Sequence, residues 1–188
     1  MNQELKSIHR QEVNSGYYSD CYKYTYDWRC YINLADQMTK QMKLTGAQNK
    51  KIIDIGCGVG WFTDHVYFNI SRNIKGIDFS EKGLMHAKRQ FPCIEFIQAN
   101  VYEFDYGEYE VAIIMETLEH LEKDDELIKM LPKGCQVFAS VPYQDLRDCA
   151  VHVRLFDEEV IKERYGEYLE LKSIVQVDQF LMIYGVRK

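Results

Sequence analysis

Residues 51–60, Lys51-Ile52-Ile53-Asp54-Ile55-Gly56-Cys57-Gly58-Val59-Gly60, constrain the fold more than any other stretch of the chain. A short β-branched run ends in three glycines spaced G-x-G-x-G, and an apolar helical pattern follows at once. An apolar run of this length suits a strand buried on both faces. Glycines tolerate positive φ and let the backbone approach a ligand closely. A helix beginning just beyond them points its free N–H groups at the same place. Strand, glycine turn and helix in that order build a nucleotide site in an α/β domain.

The rest of the chain alternates in the same manner. Strand patterns occur at Ile74–Asp78, Ile94–Ile97, Val111–Met115 and Gln136–Val141, and Val111–Met115 is apolar throughout, as a central strand should be. Helical patterns lie between them. Ser80 is read as the cap of one helix, with Leu84 and Ala87 inward, and Pro92 closes it. Asp124 is read as the cap of the next, and Asp157 as the cap of a helix running through Tyr165 with Gly166 at C′. Two further strands, 168–177 and 180–186, are joined only by Asp178-Gln179 and must form an antiparallel hairpin. The tally is five β–α units, then a helix and a hairpin. The expected fold class is α/β: a doubly wound, Rossmann-like, seven-stranded and mostly parallel sheet with a C-terminal antiparallel hairpin, in three α/β/α layers. Ligands of such sheets bind at the carboxyl ends of the strands.

Residues 1–49 differ in character. Tyr17, Tyr18, Tyr22, Tyr24, Tyr26 and Tyr31 cluster there, and Ile32, Leu34, Ala35, Met38 and Met42 repeat with helical period up to Gly46. The expected organisation is an N-terminal, helical, tyrosine-rich lid segment over 1–49 and a catalytic domain over 50–188; simple cover for a sheet edge is the alternative. At 188 residues a single domain with a small appendage is expected. A net charge of -6 and a pI near 5.4 argue against a broad phosphate-binding face, and so against a nucleic-acid partner. Cys21, Cys30, Cys57, Cys93, Cys135 and Cys149 contain no C-x-x-C pair, which favours reduced thiols over a disulfide framework or a zinc knuckle. The first residues carry no apolar leader core and no run approaches membrane-spanning length, so a cytoplasmic protein without membrane attachment is expected.

The glycine spacing separates the nucleotide classes. A dinucleotide fingerprint needs G-x-G-x-x-G, whereas here the third glycine comes one residue early and Trp61 occupies its place. This disfavours a nicotinamide reductase. Asp78 ends the second strand 24 positions after Asp54, where a carboxylate can accept both ribose hydroxyls of an adenosine.

From these residues the chain resembles the class I S-adenosylmethionine-dependent methyltransferases over about residues 50–188. Asp54-Ile55-Gly56-Cys57-Gly58-Val59-Gly60 is similar to the family's D-x-G-C-G-x-G motif, and Gly76-Ile77-Asp78-Phe79-Ser80 to its second motif. The resemblance implies S-adenosylmethionine as cofactor and S-adenosylhomocysteine as product. It implies that Asp54, Gly56, Cys57, Gly58 and Gly60 form the turn around the methionine part, that Asp78 holds the ribose, and that Phe79 packs on adenine. Gln98-Ala99-Asn100-Val101 matches the adenine-binding turn, with Asn100 where aspartate is usual; its carbonyl still offers an acceptor to the adenine amine. The ubiquinone-pathway O-methyltransferases, which the chain also resembles, carry an arginine near Arg29 that meets the cofactor carboxylate.

Acceptor chemistry is expected after the fourth and fifth strands, at Glu116-Thr117-Leu118-Glu119-His120 and at His152. His120 is the candidate general base, being poised near neutrality, with Glu119 beside it. Glu116 is counted with the cofactor-binding set. Glu116 and His120 are four apart and would share a face on a helical turn. The resemblance to the E-x-x-E-H element of the ubiquinone-pathway and small-RNA 2′-O-methyltransferases raises a divalent metal held by Glu116, Glu119, His120 and His152; a metal-free site is the primary expectation. The expected function is methyl transfer to oxygen or nitrogen of a small-molecule acceptor. The alternatives are a metal-assisted RNA 2′-O-methyltransferase, with a basic patch from Lys123, Lys129, Lys133, Arg147 and Arg154, and a non-catalytic S-adenosylmethionine-binding module.

Overall fold

The computed structural model describes residues 28–143 and 152–188. Seven strands form one sheet: β1 (Ile52–Ile55), β2 (Ile74–Asp78), β3 (Glu95–Gln98), β4 (Val111–Met115), β5 (Gln136–Pro142), β6 (Leu169–Val177) and β7 (Phe180–Arg187). Their order is β3-β2-β1-β4-β5-β7-β6. Strands β1 to β5 are mutually parallel, and β7 runs antiparallel to both neighbours. The strand order reverses between β1 and β4, and the carboxyl ends of those two strands frame the crevice expected to take a ligand.

All four residues of β1 are buried, because helices cover both faces. The side chains divide with the strand period of two. Ile53, Ile55, Ala112, Ile114, Val137 and Ala139 face one apolar layer. Ile52, Val111, Ile113 and Phe138 face the other. On the second face lie α1 (Ile32–Leu44), α2 (Trp61–Asn69) and α3 (Glu81–Gln90); on the first lie α4 (Asp124–Met130) and α5 (Glu158–Tyr165). No helix among the described residues is long and apolar enough to cross a membrane.

Helix α1 buries Leu34, Ala35, Met38 and Met42 against Ile52, Phe62, Val66 and Phe138, in the same core as the sheet. It is therefore part of the helical layer on that face of the sheet. The tyrosines of residues 17–26, on which the lid expectation rests, lie outside the described residues, as do Cys21 and Cys149. Cys57, Cys93 and Cys135 are free thiols, and Cys30 is exposed.

Two of the expected helix caps form. Ser80 Oγ accepts the Gly83 N–H at 3.2 Å, and Asp157 Oδ1 accepts the Val160 N–H at 2.8 Å. Three readings need correction. No helix follows β3: residues 99–110 run as turns, so among the described residues the expected alternation of strand and helix is broken there. Asp124 is the first helical residue, not the cap; it is fully buried and binds Arg164 and Tyr165, some 40 positions on. Gly166 is right-handed (φ -62) and occupies the C-cap, not a left-handed C′ position.

Candidate active site

The glycine turn leaves the carboxyl end of β1 with Gly56, Gly58 and Gly60 all at positive φ (76, 53 and 79°). It is tied to the end of β2, since the N–H groups of Gly56 and Cys57 both donate to Ile77 O at 2.9 and 3.0 Å. A Cβ on Gly56 would collide with Thr117 Oγ1 of the loop after β4, so the two edge loops touch there. Beyond Gly60, α2 begins without a side-chain cap, so the positive end of its dipole lies next to the glycine turn.

Asp78 closes this cradle. Its Oδ2 accepts the Gly58 N–H at 2.9 Å and its Oδ1 the Ser80 N–H at 2.7 Å. The Phe79 N–H also acts on this carboxylate, which retains acceptor capacity for a ribose hydroxyl. Burial raises the Asp78 carboxyl above its ordinary range, against the pull of those backbone donors. Asp54 lies beneath the turn, 2% exposed, accepting the Thr63 hydroxyl at 2.6 Å. Burial, and secondarily the charge of Asp78, push its carboxyl up to about 7 despite the Thr63 bond. Asp54 thus supports the turn from beneath, and Thr63, nine positions on, is a partner that no sequence signal announced. Desolvation and the two aspartates hold the Cys57 thiol well above its ordinary range, in keeping with no thiolate chemistry.

Phe79 is half-buried beside Asp78, and Asn100 and Val101 follow β3 on the same edge. Asn100 Oδ1 accepts the Tyr102 N–H at 3.0 Å, which fixes the turn while leaving the oxygen a second lone pair. Arg29 is exposed in the 3₁₀ turn Trp28–Tyr31. Tyr31 packs on Trp61 and Phe180, with ring centroids 6.3 and 5.2 Å apart, so this turn also sits at the carboxyl edge. The residues present therefore form a cradle that fits S-adenosylmethionine, with anion-favouring N–H groups at one end and a ribose acceptor at the other.

Across Thr117 lies a second cluster. A 3₁₀ turn, Leu118–His120, carries Glu119 and His120, and the segment after β5 returns with His152. Glu119 is 1% exposed and His152 8%. Glu119 Oε1 is 3.6 Å from His120 Nε2, and the two imidazole centroids are 5.0 Å apart. One ligand atom from each of the three residues lies within 4.8 Å of the others. Two imidazoles and a carboxylate are a plausible set for a borderline cation. Bonds of about 2.0–2.1 Å would, however, require the set to draw closer than this.

Glu116 does not join them. Its backbone takes φ 51°, its N–H reaches Ser140, and its Oε1 accepts the Ser140 hydroxyl at 2.8 Å. The shared helical face expected for Glu116 and His120 does not form, because the chain turns left-handed at 116 before the 3₁₀ turn begins. Ser140, in the middle of β5, gave no sequence signal for this role.

The methyltransferase domain family matches residues 52–137. A ubiquinone biosynthesis O-methyltransferase of Shewanella pealeana is 29% identical over 113 residues, which are 54% of this chain and 48% of that protein. The chain thus spans about half the length of the curated relatives it matches first. Among solved structures, a methyltransferase dependent on S-adenosylmethionine from Aquifex aeolicus superposes with TM-score 0.75 at 11% identity, covering 94% of this chain and all of that one. The N-methyltransferase NodS of Bradyrhizobium japonicum, solved with S-adenosyl-L-homocysteine, superposes with TM-score 0.71 at 18% identity, covering 93% and 99%. With its strand order, glycine turn and strand-end aspartate, the chain has the fold of these methyltransferases and resembles the methyltransferase domain family over residues 52–137.

Proposed function

We propose that this protein transfers a methyl group from S-adenosylmethionine to an oxygen or nitrogen of a small-molecule acceptor. The observation that carries the reading is the contact between the two edge loops. Gly56 of the cofactor cradle lies against Thr117, and Glu119 and His120 follow within three residues. The cofactor, when bound, supplies a sulfonium methyl whose C–S bond breaks as the acceptor lone pair forms the new bond. The chain's part is alignment and removal of a proton. His120, 19% exposed at its side chain, takes that proton, and the buried Glu119 carboxylate beside it favours the imidazolium that results. His152 borders the same space.

A small acceptor fits the surface charge. Of the residues that would form a basic RNA-binding patch, Arg154 is committed to Asp124 at 3.1 Å and Lys129 to Asp125 at 2.7 Å. Lys123 lies 3.7 Å from Glu126. Lys133 is exposed, and Arg147 lies outside the described residues. The printed names of the relatives, an O-methyltransferase of ubiquinone biosynthesis and an N-methyltransferase, are compatible with either acceptor atom.

The decisive experiment is calorimetry of the full chain with S-adenosylhomocysteine and with NAD. Binding of the first alone is expected. Asp78→Ala is expected to weaken it at least tenfold, about 1.4 kcal/mol, with Asp78→Asn intermediate. Unchanged affinity in a folded Asp78→Ala protein would remove the ribose assignment. Binding without methyl transfer to any of a panel of phenols, catechols and amines would favour the binding-module alternative.

A further inference from the structure

We infer that Arg154 is a positioning residue for the acceptor side of the site. It clamps the segment bearing His152 onto the turn bearing His120. The inference rests on the reading of Glu119, His120 and His152 as the acceptor site.

The guanidinium has three attachments, all on the chain that follows His120. Its Nη2 donates to Leu121 O at 3.2 Å and to Glu122 O at 2.9 Å. Its Nη1 lies 3.1 Å from Oδ1 of Asp124, a carboxylate with no exposure to solvent. The Arg154 backbone is two residues beyond His152, so one side chain spans both members of the imidazole pair. A backbone bond reinforces it: Val153 N–H donates to Glu119 O at 2.8 Å. The segment is also tied by the bridge from Phe156 to Tyr143 and by burial of the Phe156 ring in the core. Residues 152–156 lie in no regular helix or strand, so contacts between loops, these bonds among them, set the relative placement of the two imidazoles.

The arrangement suits arginine. A planar fork with five donors can hold two carbonyls and a carboxylate together, whereas an ammonium acts as a point charge with fewer fixed directions. Asp124 would not be orphaned by loss of Arg154. It also accepts from Arg164 Nε at 3.1 Å and from the Tyr165 hydroxyl, both on α5. The fold therefore keeps its buried anion paired when Arg154 is replaced, and what is lost is the hold on the turn after His120. A displacement of the order of 1 Å at a reacting group costs up to about a hundredfold in rate, so small slack here matters.

The test uses the full chain with labelled histidines, in chelator and with S-adenosylhomocysteine. A nuclear Overhauser contact between the ring protons of His120 and His152 is expected in the wild type, given centroids 5.0 Å apart. It should be lost in Arg154→Met, weakened in Arg154→Lys, and kept in Arg164→Met, which removes a different Asp124 partner. Affinity for S-adenosylhomocysteine should be unchanged in all three, because the cradle uses neither arginine. Absence of the contact in the wild type, its persistence in Arg154→Met, or its equal loss in Arg164→Met overturns the inference. Should Arg154→Met not fold, Arg154→Lys decides, and a contact of wild-type strength there refutes the clamp. Failure of the wild type to bind S-adenosylhomocysteine is a separate outcome, which removes the functional reading but leaves the geometric test intact.

Discussion

Three glycines separate two costs that are usually confounded. Gly134 has φ 83° with open space where a Cβ would lie. Gly76, in β2, has no positive φ, but a Cβ there would meet Cys57 Sγ and Phe96 Cδ1, each at 2.8 Å. Gly60 combines both: φ 79°, with a Cβ 2.6 Å from Phe96 Cζ and 3.0 Å from Ala87 Cβ. Phe96 is 4% exposed and packs against Leu84 and Ile94, so it cannot swing aside freely. Left-handed backbone costs an ordinary residue about 1–2 kcal/mol. Overpacking a filled core costs about 1–3 kcal/mol. Alanine is therefore expected to cost about 1–2 kcal/mol at 134, about 1–3 at 76 and about 2–5 at 60, each lessened by a few tenths through the stiffer unfolded chain. For a chain of this size those figures correspond to roughly 2–4 °C per kcal/mol in Tm. Urea unfolding of the cofactor-free variants, followed by circular dichroism, gives the three values. The reasoning fails if Gly134→Ala costs as much as Gly60→Ala, or if Gly76→Ala is neutral.

Asp54 should make stability depend on pH. Its folded carboxyl titrates near 7 against an ordinary 3.8, so the fold favours the protonated form. That contribution is complete below about pH 4 and is lost as pH rises toward 7, on the order of 4 kcal/mol in all. Asp54→Asn keeps an acceptor for Thr63 and abolishes this loss, so its stability relative to wild type should climb between pH 4 and 7; a pH-independent difference would count against the buried-acid account. The metal alternative is tested by protein purified without chelator. No divalent ion is expected in it; a stoichiometric bound ion that is lost in His152→Ala would show that Glu119, His120 and His152 hold a metal.

What the sequence determined by itself was set by partners close along the chain. β1, the glycine turn and α2 are contiguous, and strict burial of Ile52–Ile55 follows from an apolar run too short for anything but a central strand. Ser80 and Asp157 cap N–H groups three positions on, and a two-residue link leaves β6 and β7 no option except a hairpin. Asp78 was legible because strand-end position and distance from the glycine turn are both sequence quantities.

Tertiary structure decided whatever depended on distant partners. Glu116 turned to Ser140, 24 positions away, and left the acidic cluster that the i,i+4 spacing had placed it in. Asp124 became the buried anchor of Arg154, Arg164 and Tyr165 instead of a helix cap. His152 met His120 across 32 residues of chain, at a separation that no local propensity encodes. A buried charge is stable only where opposite charge and donors converge on it, and that convergence is made by packing, after the strands and helices that sequence can foretell are already in place.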